Sequence, residues 1–294
     1  MNLNTIIFPA PTENKLPELT RYKDEILFVP KKLKDGTQFH IPCLYQQCTK
    51  KADTNKIFLY FHGNAEDIFN ATNNLSIIKG SLPFHTLSME YPGYSVYFQE
   101  KSAETIEEDT LIVFDFLVKE CKIKPKNIIC CGRSIGTGAA TYLAAKRNPG
   151  ALILISPIKS IQGAANSLLG FMKFIVSDRF NNYERIKDVT CPLLIIHGQK
   201  DSLIPFEQSI ELAERTGGPY ELVLPENMNH NEVLLYDDFL EPITTFLKRH
   251  NLLVSDNSEM MMSIDNFQTP EYLLTGNLSN MDKFSEFIRK VLKI

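Results

Sequence analysis

The sequence predicts an α/β protein with a mostly parallel central β-sheet and helices on both faces of that sheet. Short apolar runs rich in β-branched and aromatic residues alternate with helical patterns through most of the 294 residues. The runs lack the polar alternation of half-exposed strands, as expected when helices cover both faces. Hydrophobic residues make up 44% of the chain, the proportion of an ordinary water-soluble globular protein.

Six apolar runs are predicted to be strands, because each is short and bounded by turn residues. They comprise residues 57–61, 86–91, 127–131, 151–155, 193–197 and 220–224. Residues 1–55 are predicted to add antiparallel leading strands, with a hairpin turn at Asp35-Gly36.

Four helices are predicted from the spacing of apolar residues. In the first, over residues 103–121, Ser102 is positioned to cap the N-terminus. The other three comprise residues 134–146, 206–216 and 232–248.

One domain is predicted over residues 1–250, followed by a C-terminal extension over residues 251–294. The end of the extension, residues 281–294, places several apolar side chains on one helical face. A helix docked on the body is the favoured interpretation, and an interfacial or partner-binding helix is the alternative.

The sequence Gly132-Arg133-Ser134-Ile135-Gly136 lies between a predicted strand and a predicted helix. A G-x-S-x-G sequence in this strand–turn–helix setting is typical of the nucleophile elbow of α/β-hydrolases. Small neighbours let the strand and helix approach closely, and the helix N-terminus directs free N–H groups at the reacting oxygen. Ser134 is therefore the candidate nucleophile, and a glycine-rich turn with an ordinary serine cap is the alternative.

A serine hydroxyl needs a base and an orienting acid, which follow the nucleophile in the order acid, then histidine. His230 occupies a loop after the last predicted strand and is the candidate base. Asp201 lies just beyond the strand at 193–197 and is the candidate acid. An ordinary loop histidine and a surface-turn aspartate are the alternatives.

His62-Gly63-Asn64-Ala65 directly follows the strand at 57–61, where backbone amides of this fold form half of an oxyanion hole. The amides of Asn64 and Ile135 are the predicted donors, with Ala65 as a substitute for Asn64. His62 and His197 are interpreted as buried histidines hydrogen-bonded to nearby backbone, with a second catalytic base as the alternative for His62.

Charge and cysteine content restrict the function further. The chain has 31 Lys+Arg and 35 Asp+Glu, a net charge of −4, which does not favour nucleic-acid binding. Its six cysteines have no zinc-binding spacing and are interpreted as reduced thiols of a cytoplasmic protein. No metal or cofactor is expected, and no signal peptide is expected in the first residues.

Six segments together resemble the α/β-hydrolase domain-containing protein family 17, over roughly residues 5–248: HGNAED, YPGYSVY, GRSIGTGAA, LISPIKSI, CPLLIIHGQKDSLIP and MNHNEV. The resemblance implies an α/β-hydrolase catalytic domain that acts as a serine acyl-protein thioesterase, removing palmitoyl groups from S-acylated proteins at membranes. Ser134, Asp201 and His230 match the family's triad positions. Family members are anchored by an N-terminal cysteine cluster, whereas this chain has no cysteine before Cys43. Membrane contact is therefore expected to be peripheral at most.

Residues 157–192 hold about one helix and a modest insertion, which predicts a small cap or none and leaves Ser134 open to a bulky acyl ester. The apolar residues 164–176 favour a core helix, with the wall of an acyl-chain groove or a lipid-touching surface as the alternative. A carboxylesterase, a lipase or a serine peptidase of the same fold stays open, as does a non-catalytic scaffold. The oligomeric state is not predicted.

Overall fold

An eight-stranded sheet forms the centre of the protein, in the order β1-β2-β4-β3-β5-β6-β7-β8. The computed structural model describes residues 7–11, 18, 21–33, 36, 38–50, 53–97, 99–161, 179–254 and 260. Strands β1 (Ile26–Lys32) and β2 (Gln38–Gln46) are antiparallel, and β2 is also antiparallel to β4 (His85–Met89). The other pairings are parallel and involve β3 (Ile57–Phe61), β5 (Ile128–Arg133), β6 (Ala151–Ile155), β7 (Leu193–Ile196) and β8 (Tyr220–Val223).

Helices cover both faces of the sheet. The described α-helices are α1 (Thr72–Ser81), α2 (Ala103–Lys119), α3 (Gly136–Arg147), α4 (Asn182–Arg185), α5 (Glu207–Arg215) and α6 (Glu241–Arg249). Helices α2, α3 and α5 pack against one face, and α1 and α6 pack against the other. A π-helix, Leu235–Leu240, leads into α6, and short 3₁₀ turns span Pro125–Asn127 and Ile186–Asp188.

The strands are apolar on both sides because their side chains alternate between two separate cores. In β3, Ile57, Leu59 and Phe61 point into the core shared with α2 and α3. Phe58 and Tyr60 point into the core shared with α1 and α6. All five side chains are fully buried, which explains why the strand shows no polar alternation.

The structure confirms the six predicted strands and the antiparallel leading pair. The bounds of β3 and β6 are those predicted, and the ends of the other four strands lie within two residues of their predicted positions. Ser102 caps α2 as predicted, because its Oγ accepts a 3.0 Å hydrogen bond from the Thr105 amide.

The predicted helix over residues 232–248 is wrong at its start. The chain forms a π-helix at Leu235–Leu240, where the Glu241 amide bonds to the Tyr236 carbonyl five residues earlier, and α6 follows. The Asp238 carboxylate accepts a 2.9 Å hydrogen bond from the amide of Leu234, which is extended, so the helical backbone begins only after Leu234. Pro242 has no N–H to donate to the carbonyl four residues before it, which favours the wider π-helical turn.

Three sequence predictions fall outside the described residues. They concern Asp35 in the hairpin turn, the apolar residues 164–176 and the helix over residues 281–294. The small cap and the docked C-terminal helix therefore stay predictions. The division into a domain over residues 1–250 and an extension over residues 251–294 also stays a prediction.

Candidate active site

Ser134 lies where β5 ends and α3 begins, at the carboxyl edge of the sheet. Its φ of 52° is a left-handed conformation, which costs a non-glycine residue about 1–3 kcal/mol. A Cβ at Gly132 would lie 2.5 Å from the Gly136 carbonyl oxygen, so this close turn requires glycine. The Ser134 amide donates a 2.9 Å hydrogen bond to the carbonyl of Ile155 in β6. The helix predicted from residue 134 therefore begins only at Gly136, after the turn.

His230 lies in the loop after β8, 96 residues beyond Ser134 in the chain. Its Nε2 is 3.0 Å from Ser134 Oγ, within hydrogen-bond reach. Both side chains are nearly buried, with 8% exposed. The loop is fixed by Asn229, whose Oδ1 accepts hydrogen bonds from the amides of Asn231 (3.0 Å) and Glu232 (2.8 Å).

Asp201 lies in the turn after β7 and faces the other side of the His230 ring. Its Oδ2 is 2.7 Å from His230 Nδ1, and its Oδ1 accepts hydrogen bonds from the amides of Leu203 (2.9 Å) and Ile204 (2.8 Å). Burial opposes ionisation of this carboxyl, but the hydrogen bonds from His197, His230 and the Ile204 amide hold its pKa below the ordinary value. Asp201 is therefore a carboxylate at neutral pH.

The structure thus brings the three sequence-predicted residues into one hydrogen-bonded chain. A carboxylate can only accept, so His230 must carry its proton on Nδ1 when it is neutral. That tautomer leaves the Nε2 lone pair facing the Ser134 hydroxyl. The arrangement can remove a proton from Ser134 and hold it on an imidazolium beside a negative charge.

The two predicted oxyanion donors lie in the loop after β3 and at the start of α3. The Asn64 side chain is not free, since its Nδ2 donates to the Ile7 carbonyl and its Oδ1 accepts from the Tyr94 hydroxyl, both at 2.8 Å. These bonds fix the loop and leave its backbone amide for a ligand. Within the described residues, neither the Asn64 amide nor the Ile135 amide donates a hydrogen bond.

Arg133, beside the nucleophile, ties together the loops that carry the candidate groups. Its guanidinium donates a 2.7 Å hydrogen bond to the His230 carbonyl and pairs with the carboxylate of Glu66. The second oxygen of Glu66 accepts a 2.9 Å hydrogen bond from the Gly63 amide. One ion pair therefore connects the elbow, the histidine loop and the oxyanion loop, a link that the sequence analysis missed.

The sequence analysis assigned His62 and His197 only backbone partners, and the structure adds a carboxylate to each. His62 Nδ1 is 3.0 Å from the Gly63 carbonyl, as predicted, but Nε2 is 3.1 Å from Glu90 Oε1. His197 Nε2 is 3.1 Å from Asp201 Oδ2. Two sequence signals could have indicated these carboxylate partners. One is the glutamate at the end of an apolar strand, and the other is the spacing of four residues between His197 and Asp201.

The described part of the chain contains no group of three or more His, Cys, Asp or Glu side chains that could hold a metal ion. All six cysteines are free and buried. Among the helices that the structure describes, none combines the length and apolar character needed to cross a bilayer.

Comparison with known proteins gives a sequence relative and several structural ones. The chain is 30% identical over 230 residues to human alpha/beta hydrolase domain-containing protein 17B, covering 78% of each chain. The Xenopus tropicalis protein of the same name is 31% identical over 207 residues, or 70% of each chain. No family model matches the sequence.

Among solved structures, the chain resembles the Pyrococcus furiosus esterase Pf2001 with a TM-score of 0.63 at 16% identity. The match covers 82% of this chain and 98% of the esterase. It also resembles a puromycin-hydrolyzing peptidase of Mycobacterium tuberculosis, with a TM-score of 0.60 at 12% identity, over 80% of this chain and 42% of the peptidase. At these identities the likeness shows the fold alone.

Proposed function

We propose that this chain is a serine hydrolase with Ser134 as nucleophile, because it belongs to the α/β-hydrolase domain-containing protein 17 family and has the α/β-hydrolase fold. The observation that carries the proposal is the unbroken chain from Ser134 Oγ through His230 to Asp201, at 3.0 and 2.7 Å. Each of the three residues lies just beyond a strand of the sheet, at the edge where open α/β sheets bind ligands.

In the first step, Ser134 Oγ attacks the carbonyl carbon of an acyl ester or thioester while His230 Nε2 takes the hydroxyl proton. The negative charge that develops on the carbonyl oxygen is stabilised by the amides of Asn64 and Ile135. Asp201 stabilises the imidazolium that forms. The carbon–heteroatom bond then breaks, the departing thiolate or alkoxide takes the proton from His230 and leaves as a thiol or alcohol, and the acyl group stays on Ser134.

In the second step, His230 removes a proton from water, and the resulting hydroxide attacks the acyl-enzyme. Collapse of the second tetrahedral intermediate releases the carboxylate, and His230 returns a proton to Ser134 Oγ. No other group is required, because the same base and the same oxyanion donors serve both steps.

The substrate that we propose is an S-acylated protein, so that the enzyme is a palmitoyl-protein thioesterase. Its support is sequence similarity to the family, together with the chemistry of the leaving group. A cysteine thiol has a pKa of about 8.5, so its thiolate leaves readily. Alkoxide and amine leaving groups depend more on a proton from His230.

A carboxylesterase or lipase and a serine peptidase are the competing functions, since structural neighbours with both esterase and peptidase titles share the fold. The three candidate groups act alike on all these substrates. Relative rates on a palmitoyl-thioester peptide, p-nitrophenyl esters and aminoacyl amides discriminate among them. A preference for the amide would contradict the thioesterase proposal.

The nucleophile is tested by Ser134→Ala and a fluorophosphonate probe. We expect the variant to lose both labelling and hydrolysis. The matched control is Ser156→Ala: Ser156 follows β6, is buried, has a φ of 46°, and its Oγ has no hydrogen-bond partner in the described structure. Undiminished labelling of Ser134→Ala, or equal loss in Ser156→Ala, contradicts the assignment. A folded wild-type protein that reacts with no serine probe would support the non-catalytic alternative.

The proposed location is the cytosol, with peripheral contact to the membrane surface where S-acylated proteins are found. The exposed side chains of Leu234 (61%) and Tyr236 (63%), which follow the His230 loop, support such a contact. Co-sedimentation with phosphatidylcholine vesicles tests it. Binding that is unchanged in Leu234→Ser and Tyr236→Ser contradicts a role for these side chains.

A further inference from the structure

We propose that His197 is a positioning residue, a second imidazole that shares the Asp201 carboxylate with His230. The proposal rests on the function proposed above and deepens it. It extends the hydrogen-bonded chain beyond Asp201 to a fourth and a fifth side chain, His197 and Ser209.

His197 lies at the end of β7, and its side chain has no solvent exposure. Its Nε2 is 3.1 Å from Asp201 Oδ2 and 3.0 Å from the Ile204 carbonyl. Its Nδ1 is 2.6 Å from the Oγ of Ser209 in α5. Because both ring nitrogens have hydrogen-bond partners, the plane of the His197 ring is fixed. Through Asp201 and Ile204, His197 contacts both ends of the turn that carries Asp201.

The partners also define the tautomer. Nε2 faces a carboxylate and a carbonyl, which are both acceptors, so this nitrogen carries a hydrogen. In a neutral ring Nδ1 is then an acceptor, and the Ser209 hydroxyl donates to it. The network therefore runs from Ser209 through His197 to Asp201, as a counterpart of the path from Ser134 through His230.

Asp201 is saturated by these contacts. Its Oδ1 accepts two backbone amides, from Leu203 and Ile204, and its Oδ2 accepts both imidazoles. A carboxylate offers about four acceptor sites, so it cannot rotate without losing a bond. Among the described residues, the titratable groups hydrogen-bonded to Oδ2 are His230, from the loop after β8, and His197, directly after β7, while α5 contributes the Ser209 hydroxyl to His197.

Two effects on His230 follow. The Asp201 oxygen stays aimed at Nδ1, which keeps Nε2 directed at Ser134. The hydrogen bond from His197 also draws on the negative charge of Oδ2, so less of it is available to stabilise the His230 imidazolium. Without this donor, we expect the His230 imidazolium to be better stabilised by Asp201 and the neutral ring to be less well oriented.

The experiment compares His197→Leu, which removes the donor, with His197→Gln, whose side-chain NH₂ can take the place of Nε2–H. Rates of fluorophosphonate labelling at Ser134 are measured in the full chain from pH 5 to pH 9. For His197→Leu we expect a loss of roughly tenfold, the scale of one hydrogen bond to a charged group. We also expect the midpoint of the acid limb to move up by about half a pH unit. His197→Gln should keep the wild-type midpoint.

A folded His197→Leu protein with the wild-type midpoint overturns the proposal, because a space-filling histidine would lower the rate without moving the profile. If that variant does not fold, imidazole ¹⁵N NMR of the wild type decides. An Nε2–H tautomer at His197 supports the proposal, and an Nδ1–H tautomer overturns it. Failure of the proposed function is distinct, since the wild type would then show no labelling that depends on Ser134.

Discussion

Two histidine–carboxylate pairs lie at the same edge of the sheet, His230–Asp201 after β8 and β7, and His62–Glu90 after β3 and β4. Their ring-to-carboxylate distances are similar, 2.7 and 3.1 Å. They differ in what the second ring nitrogen meets. His230 Nε2 faces the Ser134 hydroxyl, whereas His62 Nδ1 faces the Gly63 carbonyl, and its ring has no solvent exposure.

The carboxyl groups of the two pairs also differ in charge balance. Burial raises the pKa of Glu90 above the ordinary value, and its bond to His62 only partly opposes this. Burial alone would lower the pKa of His62, but the Glu90 carboxylate raises it. Asp201 has two amides on one oxygen and two imidazoles on the other, and its pKa is lowered. The protonated form is therefore favoured for both groups of the His62 pair, whereas the ionised form is favoured for Asp201.

Under the proposed mechanism, this difference means that a histidine beside an acid is not enough to make a base. The ring also needs an accessible nitrogen and a carboxylate whose negative charge is already stabilised. The His62 ring has no accessible nitrogen, because both of its nitrogens face acceptors and the ring is buried, so the pair is suited instead to hold the oxyanion loop against the end of β4.

The largest effect is expected for Asp201→Asn, which should lower kcat about 10⁴-fold, as when the triad acid is amidated in other serine enzymes. The amides of Leu203 and Ile204 require an oxygen at Oδ1, so the new NH₂ group would face His230 Nδ1. The ring would then carry its proton on Nε2 and could not accept one from Ser134. Steady-state kinetics check this outcome. A loss of kcat below tenfold would contradict the distinction between the two histidine–carboxylate pairs.

A smaller loss of activity is expected for Glu90→Gln, together with a loss of stability of about 1–3 kcal/mol. Glu90 Oε1 accepts from His62 and the Tyr91 amide, and Oε2 accepts from the Ile68 amide at 3.4 Å. Glutamine has an NH₂ group in place of one of these acceptor oxygens, so this NH₂ would face one of the N–H donors and lose a hydrogen bond. Chemical denaturation at several pH values, together with steady-state kinetics, tests this.

The pH dependence of that stability loss has a definite sign. Because the pKa values of His62 and Glu90 are raised in the folded state, their contribution is present at low pH and lost as pH rises. The difference in free energy of unfolding between wild type and Glu90→Gln should therefore increase from pH 8 to pH 5. For Asp201, whose pKa is lowered, the contribution is lost as pH falls below about 4. A gap for Glu90→Gln that narrows on acidification would contradict this account.

The smallest effect is expected for Ser102→Ala, which removes the N-cap of α2, a helix that contains none of the candidate catalytic groups. Loss of such a cap costs about 1 kcal/mol. We expect lower thermal stability with unchanged kcat and kcat/KM, measured by calorimetry and ester hydrolysis. This variant calibrates how much stability can be lost without affecting catalysis. A parallel fall in kcat would mean that the losses in Glu90→Gln cannot be assigned to the site.

The strands and the candidate nucleophile could be predicted from sequence because their signals are local. Strand β3 is five consecutive buried apolar residues, and Ser134 is bracketed by glycines between a strand and a helix. His230 and Asp201 followed from the order of groups along the chain. Nothing in those signals depends on knowing which side chains meet.

The missed features depend on tertiary contacts or on weak local signals. Helix α1 was not predicted, since TNNLSIIKGS has poor helix formers, no side-chain cap and only two buried residues. The partners of His62 and Arg133 are 28 and 67 residues away along the chain. No periodicity in a single sequence encodes such pairings.

The turn at Ser134 has a consequence for how substrate range can change. Its amide is bound to β6, and its flanking glycines are in close contact with backbone, so Ser134 cannot shift without disturbing the middle of the sheet. In the proposed reaction, the scissile bond must therefore be brought to an oxygen whose position is fixed. Divergence in what this scaffold hydrolyses should accumulate in the loops that steer the incoming molecule, while the elbow itself stays invariant.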